Sequence, residues 1–391
     1  MTEYKHQMTN SHILVQEFEY LEPTSLEEAV SLLSKYGERA QVLAGGTNLV
    51  LWMKMEQVAP EYVINVSKLP GLEGLSPQDG RLDIGALTKI RAVRSAPEVQ
   101  ASYTALAEAC AAFGSTQIQM MGTIGGNVCN GSPASDTVPA LVAFDAQLVL
   151  AGPNGERVLP IEEFLVGPGK TAMQDGELLV SVRLPTPPPA PPRAGEGGTG
   201  SAFVKVSRVA ADLAKASGAA VLVREGERIT ACRLALGSVG PTVLRAKKAE
   251  ELLTGKLFST ELALEAGKAA SEETTPIDDV RSTAWYRREV VKAITHDVLH
   301  LAWERAGESG GVGECGSVGA GEQGGKQARG QGEAHDTLHV SRFTQHEIAL
   351  TVNGVRHQLR VKPNELLLNV LRERLELTGS KYGCGLGECG A

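Results

Sequence analysis

Two glycine elbows stand out as the places where this sequence could do chemistry. One is Ala44-Gly45-Gly46-Thr47-Asn48-Leu49. The other is Thr123-Ile124-Gly125-Gly126-Asn127, followed closely by Ser132-Pro133-Ala134-Ser135-Asp136. A Gly-Gly pair lets the backbone take dihedrals that a Cβ forbids, and it clears side chains from the path of an approaching ligand. Successive N–H groups in such a turn form a concave nest suited to phosphate or pyrophosphate oxygens. A single pair reads as an ordinary turn, since turns are rich in glycine. Two elbows that share Thr and Asn flanks ask for a common explanation.

A second chemical signal lies near the last residue. Cys384 and Cys389 are spaced C-x4-C in the glycine-rich run Gly379 to Ala391. Plant-type [2Fe–2S] ferredoxins bind their cluster through C-x4-C-x2-C plus a further cysteine. The third ligand would fall at position 392, so a cluster is expected only if the chain continues past Ala391. The other four cysteines, Cys110, Cys129, Cys232 and Cys315, have no mutual ligand spacing and read as buried or incidental thiols.

The elements that must carry these motifs fall into four pieces. Ser25 with Glu28 is a capping-box pattern ahead of a helix faced by Leu26, Ala29, Val30, Leu32 and Leu33. The apolar run Gln41 to Ala44 reads as a buried strand delivering the first elbow, and Tyr62 to Val66 as another. A second piece has a short strand at Leu82 to Ala86 and an alanine-rich helix from Glu98 to about Phe113. Its further strands are expected at Gln147 to Leu150 and Glu177 to Leu184. Pro185 to Gly200 is a proline- and glycine-rich loop. A third piece, from about Ser201 to Gly307, has three strands and then helices, the last a long one through Trp285 to Arg288. Residues 308 to about 337 hold little to bury and read as a flexible tether. Beyond it, His346 to Arg356 is a hairpin about an Asn-Gly turn, and Leu366 to Arg372 a helix.

With 391 residues, 46 acidic against 38 basic and a net charge of −8, the chain does not present a basic nucleic-acid surface. It has no apolar run long enough to span a bilayer. The N-terminus lacks a basic segment followed by an apolar core, and the few cysteines do not form a disulfide framework, so the expectation is a cytoplasmic protein.

Several motifs in order make a resemblance specific: AGGTNL at 44–49, IGALT at 84–88, TIGGN at 123–127, SPASD at 132–136, GPGKT at 167–171, LLVSVRLP at 178–185 and FVKVSR at 203–208. The first ~300 residues resemble the FAD-binding subunit of the molybdenum hydroxylases, as in the carbon monoxide dehydrogenase medium subunit and the flavin domain of xanthine dehydrogenase. The piece after the tether resembles the start of the small iron–sulfur subunit of the same enzymes. The fold this implies is α+β: a two-subdomain FAD-binding fold of the vanillyl-alcohol-oxidase type (14–66 and 67–185) and a Pro/Gly loop (186–200). A C-terminal α+β domain of three strands plus helices (201–307) follows, then a Gly-rich linker (308–342) and a partial ferredoxin-like β-grasp unit (343–391).

The resemblance also implies roles. Ala44, Gly45, Gly46, Thr47, Asn48 and Leu49, with Thr123, Ile124, Gly125, Gly126 and Asn127, would wrap the FAD pyrophosphate. Asp136 would accept hydrogen bonds from the ribityl or adenosine portion; read alone, it is also a candidate helix cap before Pro139. Leu179 would place a backbone group at the flavin ring. Lys205 would lie near the isoalloxazine and stabilise the reduced flavin by its charge, or else be a solvated strand residue. Carbon monoxide dehydrogenase places a Tyr over the flavin where this register gives Leu213. Relatives with an extra [4Fe–4S] cluster carry it in a cysteine-bearing insertion near the second elbow, where this chain has only Cys129. The implied metal ligands are Cys384 and Cys389. The implied partners are a large subunit holding the molybdenum cofactor and an iron–sulfur subunit or domain, in a hetero-oligomer. Electrons would enter through [2Fe–2S] clusters and leave FAD for an external acceptor, with no acid or base from this chain acting on the organic substrate. A self-contained flavin oxidase or dehydrogenase, and a non-catalytic assembly scaffold, are the alternatives.

Overall fold

The capping box at Ser25 does start a helix, and the first layer of the fold grows from it. In the computed structural model, which describes residues 14, 16–78, 80–186, 197–209, 211–307, 346–353, 355–361 and Leu367, Val370, Leu371 and Leu375, this layer runs β1 (Glu19–Leu21), α1 (Leu26–Tyr36), β2 (Ala40–Leu43), α2 (Leu49–Lys54) and β3 (Tyr62–Asn65). Ser25 Oγ accepts from Glu28 N at 3.2 Å, and the Glu28 carboxylate reaches back to Thr24 N at 2.7 Å. The three strands form a parallel sheet in the order β1-β3-β2.

The second layer is a five-stranded antiparallel sheet in the order β4-β5-β10-β6-β7, from β4 (Leu75–Gln78) and β5 (Arg81–Gly85) through β6 (Gln147–Gly152) and β7 (Gly155–Pro160) to β10 (Leu178–Pro185). Between β5 and β6 lie α3 (Ile90–Ser95), α4 (Pro97–Ser102), α5 (Thr104–Ala111), α6 (Thr116–Met121), α7 (Ile124–Cys129) and α8 (Val138–Ala143). After β7 come α9 (Ile161–Phe164) and the small hairpin β8 (Leu165–Gly167) and β9 (Lys170–Thr171). Successive strand residues point to opposite faces, and here both faces are buried. Leu148, Leu150 and Leu184 pack on the helices, while Val149, Ala151, Leu178 and Val180 pack on Ala29, Leu33 and Ile64 of the first layer.

The helix expected from Glu98 to Phe113 is two helices, α4 and α5, broken at Tyr103 (φ −129°, ψ 50°). Burial explains the break. Tyr103 is buried with its ring edge-on to Phe144, and its hydroxyl donates to Pro185 O at 3.1 Å. An aromatic ring with its polar tip satisfied outweighs the modest helix propensity of the alanines around it.

The third layer is an antiparallel sheet of β11 (Gly197–Val206), β12 (Ala216–Glu225), β13 (Arg228–Gly237) and β14 (Leu244–Arg245), in that order. The three long strands fall where the sequence predicts strands, but β11 begins at Gly197, so residues 197–200 of the expected Pro/Gly loop are paired into the sheet with β12, and the two-residue β14 adds a fourth strand at the edge. Helices α10 (Lys247–Leu253), α11 (Thr260–Glu272) and α12 (Ala284–Gly307) cover one face. Gly200 permits α12 to lie directly on β11, because a Cβ there would collide with Ala302 O. Phe203, Ala219, Val221 and Ala235 on the other face join the core of the second layer.

These three layers belong to the unit that runs to Ser309; a second unit begins at Gly310. Its described part includes the expected hairpin, β15 (His346–Val352) and β16 (Val355–Val361), with Asn353 in the left-handed region at φ 50°. Most of the expected helix Leu366 to Arg372, and all of the tether, Cys315, Cys384 and Cys389, lie outside the described residues.

Candidate functional site

A cleft of about 800 Å³ opens between the first and second layers, toward the upper end of the roughly 300–1,000 Å³ usual for small-molecule sites. Both elbows line it, and the first abuts the residues that lead into the second. A Cβ on Gly45 would run into the carbonyl of Met121, just ahead of the second elbow.

The first elbow connects β2 to α2. Gly46 sits at φ 69°, a left-handed conformation open to glycine and costly for other residues. Among the described residues, no hydrogen bond is donated by the backbone N–H of Gly45, Gly46, Thr47, Asn48 or Leu49. Asn48 stands at the N-cap of α2 without using its side chain to cap it. Five consecutive backbone donors and two polar side chains therefore stand at the cleft without internal partners. All six residues Ala44 to Leu49 line it.

The second elbow is built differently from the open nest the sequence suggests. It is the first turn of α7, with Thr123 as N-cap accepting from Gly126 N at 3.0 Å. Three further donors are engaged as well: Ile124 N with Thr88 O, Gly125 N with Ala86 O, and Asn127 N with Thr123 O. Its glycines serve close packing, since a Cβ on Gly125 would sit 2.7 Å from Ala86 O. Thr123, Gly125, Gly126 and Asn127 line the cleft, whereas Ile124 is fully buried beneath it. Asn127 Oδ1 accepts from Thr137 Oγ1 at 2.6 Å, which fixes the amide and leaves its NH2 group as the donor available to a ligand.

Asp136 and Leu179 also line the cleft; Lys205 does not. The Lys205 ammonium is instead buried behind the wall, 2.8 Å from Asp136 Oδ1 and donating to Ala112 O at 2.9 Å, with side-chain exposures of 4% and 6% for the pair. Oδ1 takes the charge without hydrogen-bond alignment. Burial pushes the Asp136 carboxyl up to about 6, against the opposing pull of Lys205. Lys205 is thus neither solvated nor facing the cleft: it balances a carboxylate in the wall. Asp136 does not cap α8, whose N-cap is Thr137. Leu179 precedes a bulge in β10, where Val180 drops out of register with β6 and its carbonyl accepts from Ala86 N at 2.9 Å. Bulges of this kind re-aim backbone groups beside sites.

Two further segments wall the cleft, one missed by the sequence reading and one, at Leu213, named there only through the family register. Met173 to Leu178 forms one wall, and Ala211, Asp212 and Leu213, from the loop between β11 and β12, overhang another. Asp212 is held by Arg208 at 2.6 Å and Leu213 is exposed. The Asp175-Gly176 turn was the available signal for the first segment. Nothing in the spacing of residues places the second near the elbows. Among the described residues, no group of three or more His, Cys, Asp or Glu side chains is placed to hold a metal ion, and no helix is long and apolar enough to cross a membrane.

The geometry suits a bulky ligand with a diphosphate: an unsatisfied N–H ladder for oxygens, an amide opposite, and apolar walls from Leu51, Phe113 and Leu179. Comparisons with known proteins agree. Residues 16–187 match the FAD binding domain in molybdopterin dehydrogenase, and residues 201–302 match the CO dehydrogenase flavoprotein C-terminal domain. The carbon monoxide dehydrogenase medium chain of Hydrogenophaga pseudoflava is 35% identical over 288 residues, covering 74% of this chain and 98% of that one. The glyceraldehyde dehydrogenase medium chain of Sulfolobus acidocaldarius is 32% identical over 279 residues, covering 71% and 96%. Among solved structures, carbon monoxide dehydrogenase from Hydrogenophaga pseudoflava superposes with a TM-score of 0.71 at 36% identity, covering 75% of this chain and 99% of the matched one. Two domains matched in order, and relatives aligned almost end to end, place the chain in the family of FAD-binding medium subunits of the carbon monoxide and xanthine dehydrogenases.

Proposed function

We propose that the cleft holds FAD with its pyrophosphate on the N–H groups of Gly45 to Leu49 and the amide of Asn127, and its ring system between Leu179 and the Leu213 loop. The chain is then the electron-transfer flavoprotein subunit of a molybdenum hydroxylase, an oxidoreductase component in which FAD supplies the redox chemistry. The observation that carries this reading is the run of five unpartnered backbone donors in the first elbow, on residues that line a cleft large enough for a dinucleotide. What the chain's own residues do is bind and orient. The elbows grip the diphosphate, the apolar walls exclude water, and the Asp136–Lys205 pair fixes a polar group in the wall without adding net charge. Thr47 and Asn48 offer further polar contacts, and Ile124 supports the second elbow from below.

The partners in this reading are a large subunit with the molybdenum cofactor, where substrate is oxidised, and [2Fe–2S] centres that relay electrons to the flavin. The hairpin β15–β16 and the C-x4-C spacing of Cys384 and Cys389 support a fused start of the iron–sulfur component, with Cys384 and Cys389 as cluster ligands if the chain continues past Ala391. The assembly is cytoplasmic in this reading. The relatives' different names leave the organic substrate to the large subunit. The test is to reconstitute the chain with its large and iron–sulfur partners and add substrate without an external acceptor. The flavin absorbance should bleach as substrate is consumed. Substrate turnover with the flavin left oxidised would overturn the proposal.

A further inference from the structure

Arg157 lies outside the cleft, yet the cleft wall from Met173 to Leu179 hangs on it. Its guanidinium grips Glu177 with two parallel bonds, Nε to Oε1 at 2.6 Å and Nη2 to Oε2 at 2.8 Å, and Nη2 also donates to Ala172 O at 2.7 Å. Glu177 Oε2 accepts in addition from Gln174 N at 2.7 Å. One fork therefore ties both ends of the 172–177 turn to the β6–β7 hairpin. The Glu177 side chain is 7% exposed, and the Arg157 fork holds its carboxyl below the usual carboxylate range. Charge-assisted, bidentate pairs of this kind carry geometric specificity as well as energy.

The surroundings are shaped to admit this clamp. Gly152 leaves room for Glu177, whose Cγ would lie 3.0 Å from a Cβ placed there. Gly176 sits at φ 80°, and a Cβ on it would collide with Ser34 Oγ of α1. The turn is thus pinned on one side to the second layer through Arg157 and on the other to the first layer through the close approach at Ser34. Those are the two layers between which the cleft opens. The wall it fixes leads directly into Leu178, Leu179 and the bulge at Val180, and seven consecutive residues, Met173 to Leu179, line the cleft.

We infer that Arg157 is a positioning residue for the flavin: from outside the cleft it clamps Glu177, itself a wall residue, and so sets the wall Met173 to Leu179 and with it the width of the cleft. This rests on the reading of the cleft as an FAD site. Neither residue is part of the glycine elbows, and Arg157 does not line the cleft. The clamp's effect is transmitted through backbone placement: freed from Arg157, the 172–177 turn keeps its covalent path but loses the bonds that fix its height above the sheet.

The test is a set of FAD titrations of the full chain carrying R157A, E177Q, both together, or R157K, each followed by fluorescence and by the visible circular dichroism of the bound flavin. Each single variant should weaken FAD binding about ten- to a hundredfold, the loss expected for a buried hydrogen bond to a charged group. The double variant should be no weaker than either single, because the two act as one unit. The bound-flavin dichroism should change in all of them. R157K keeps charge and length but has no planar fork, so it should behave like R157A in dichroism; it carries the test if an alanine variant does not fold. Wild-type chain that takes up no FAD would sink the functional reading itself. Wild-type binding matched by all the variants with an unchanged dichroism band, or losses that simply add, would overturn the clamp.

Discussion

Gly45 and Gly125 work by what they lack. Each lets two backbone segments meet at a distance that no side chain would permit, Gly45 against Met121–Gly122 and Gly125 against Ala86. Adding one methyl at Gly45 forces the elbows apart, and overpacking of this sort costs typically about 1–3 kcal/mol. Gly45→Ala should lower the midpoint of chemical denaturation accordingly and weaken FAD binding in the same protein. An unchanged affinity would show that elbow contact is irrelevant to the cleft. The elbows are the part of the site that one reads directly from residues, because glycine, Thr and Asn advertise backbone geometry. Lys205 shows where that reading ends. A lone lysine on a strand carries no mark of which face it occupies, and only the packed sheet shows that it pairs with Asp136 behind the wall. The engaged donors of Ile124 and Gly125 were equally hidden, since their acceptors, the carbonyls of Thr88 and Ala86, lie more than thirty residues earlier.

Among the elements, α12 carries a titrating feature outside the site. His296 and His300 lie one turn apart with ring centroids 4.3 Å from each other, and His300 packs edge-on to Phe258, which stacks on Trp303. Burial, then the neighbouring His296, pushes His300 down to about 4, while Asp297 pulls the other way. Unfolded histidine titrates near 6.5, so below about pH 6.5 the unfolded chain takes up a proton that folded His300 resists. Its contribution therefore erodes stability as pH falls from about 6.5 toward 4. Thermal melts of wild type and His300→Leu should diverge over that window, with wild type losing more, and stay parallel above about pH 7. Parallel curves throughout would contradict it. Elements of this size were unevenly legible. The capping box named α1, and the long strands of the third layer were plain, but α2 and α7 have six residues each, too few for a helical period. In β6 the alternation vanished because both faces are buried, leaving a continuous apolar run.

For the whole molecule, the cleft is a product of layers. The two elbows, the Arg157-clamped wall and the segment at Leu213 come from four regions of sequence, and only the packing of the three sheets brings them together. Family membership was readable from ordered motifs; the depth and width of the cleft were not, because they depend on contacts between distant segments. At the centre of the proposed function, the Gly45 to Leu49 donors recognise a diphosphate. Equilibrium titration of the isolated chain with FAD, in the presence and absence of ADP, tests it most directly. Saturation at one FAD per chain, competition by ADP and much weaker binding of riboflavin are the predicted results. No saturable FAD binding, or riboflavin bound as tightly as FAD, would contradict it.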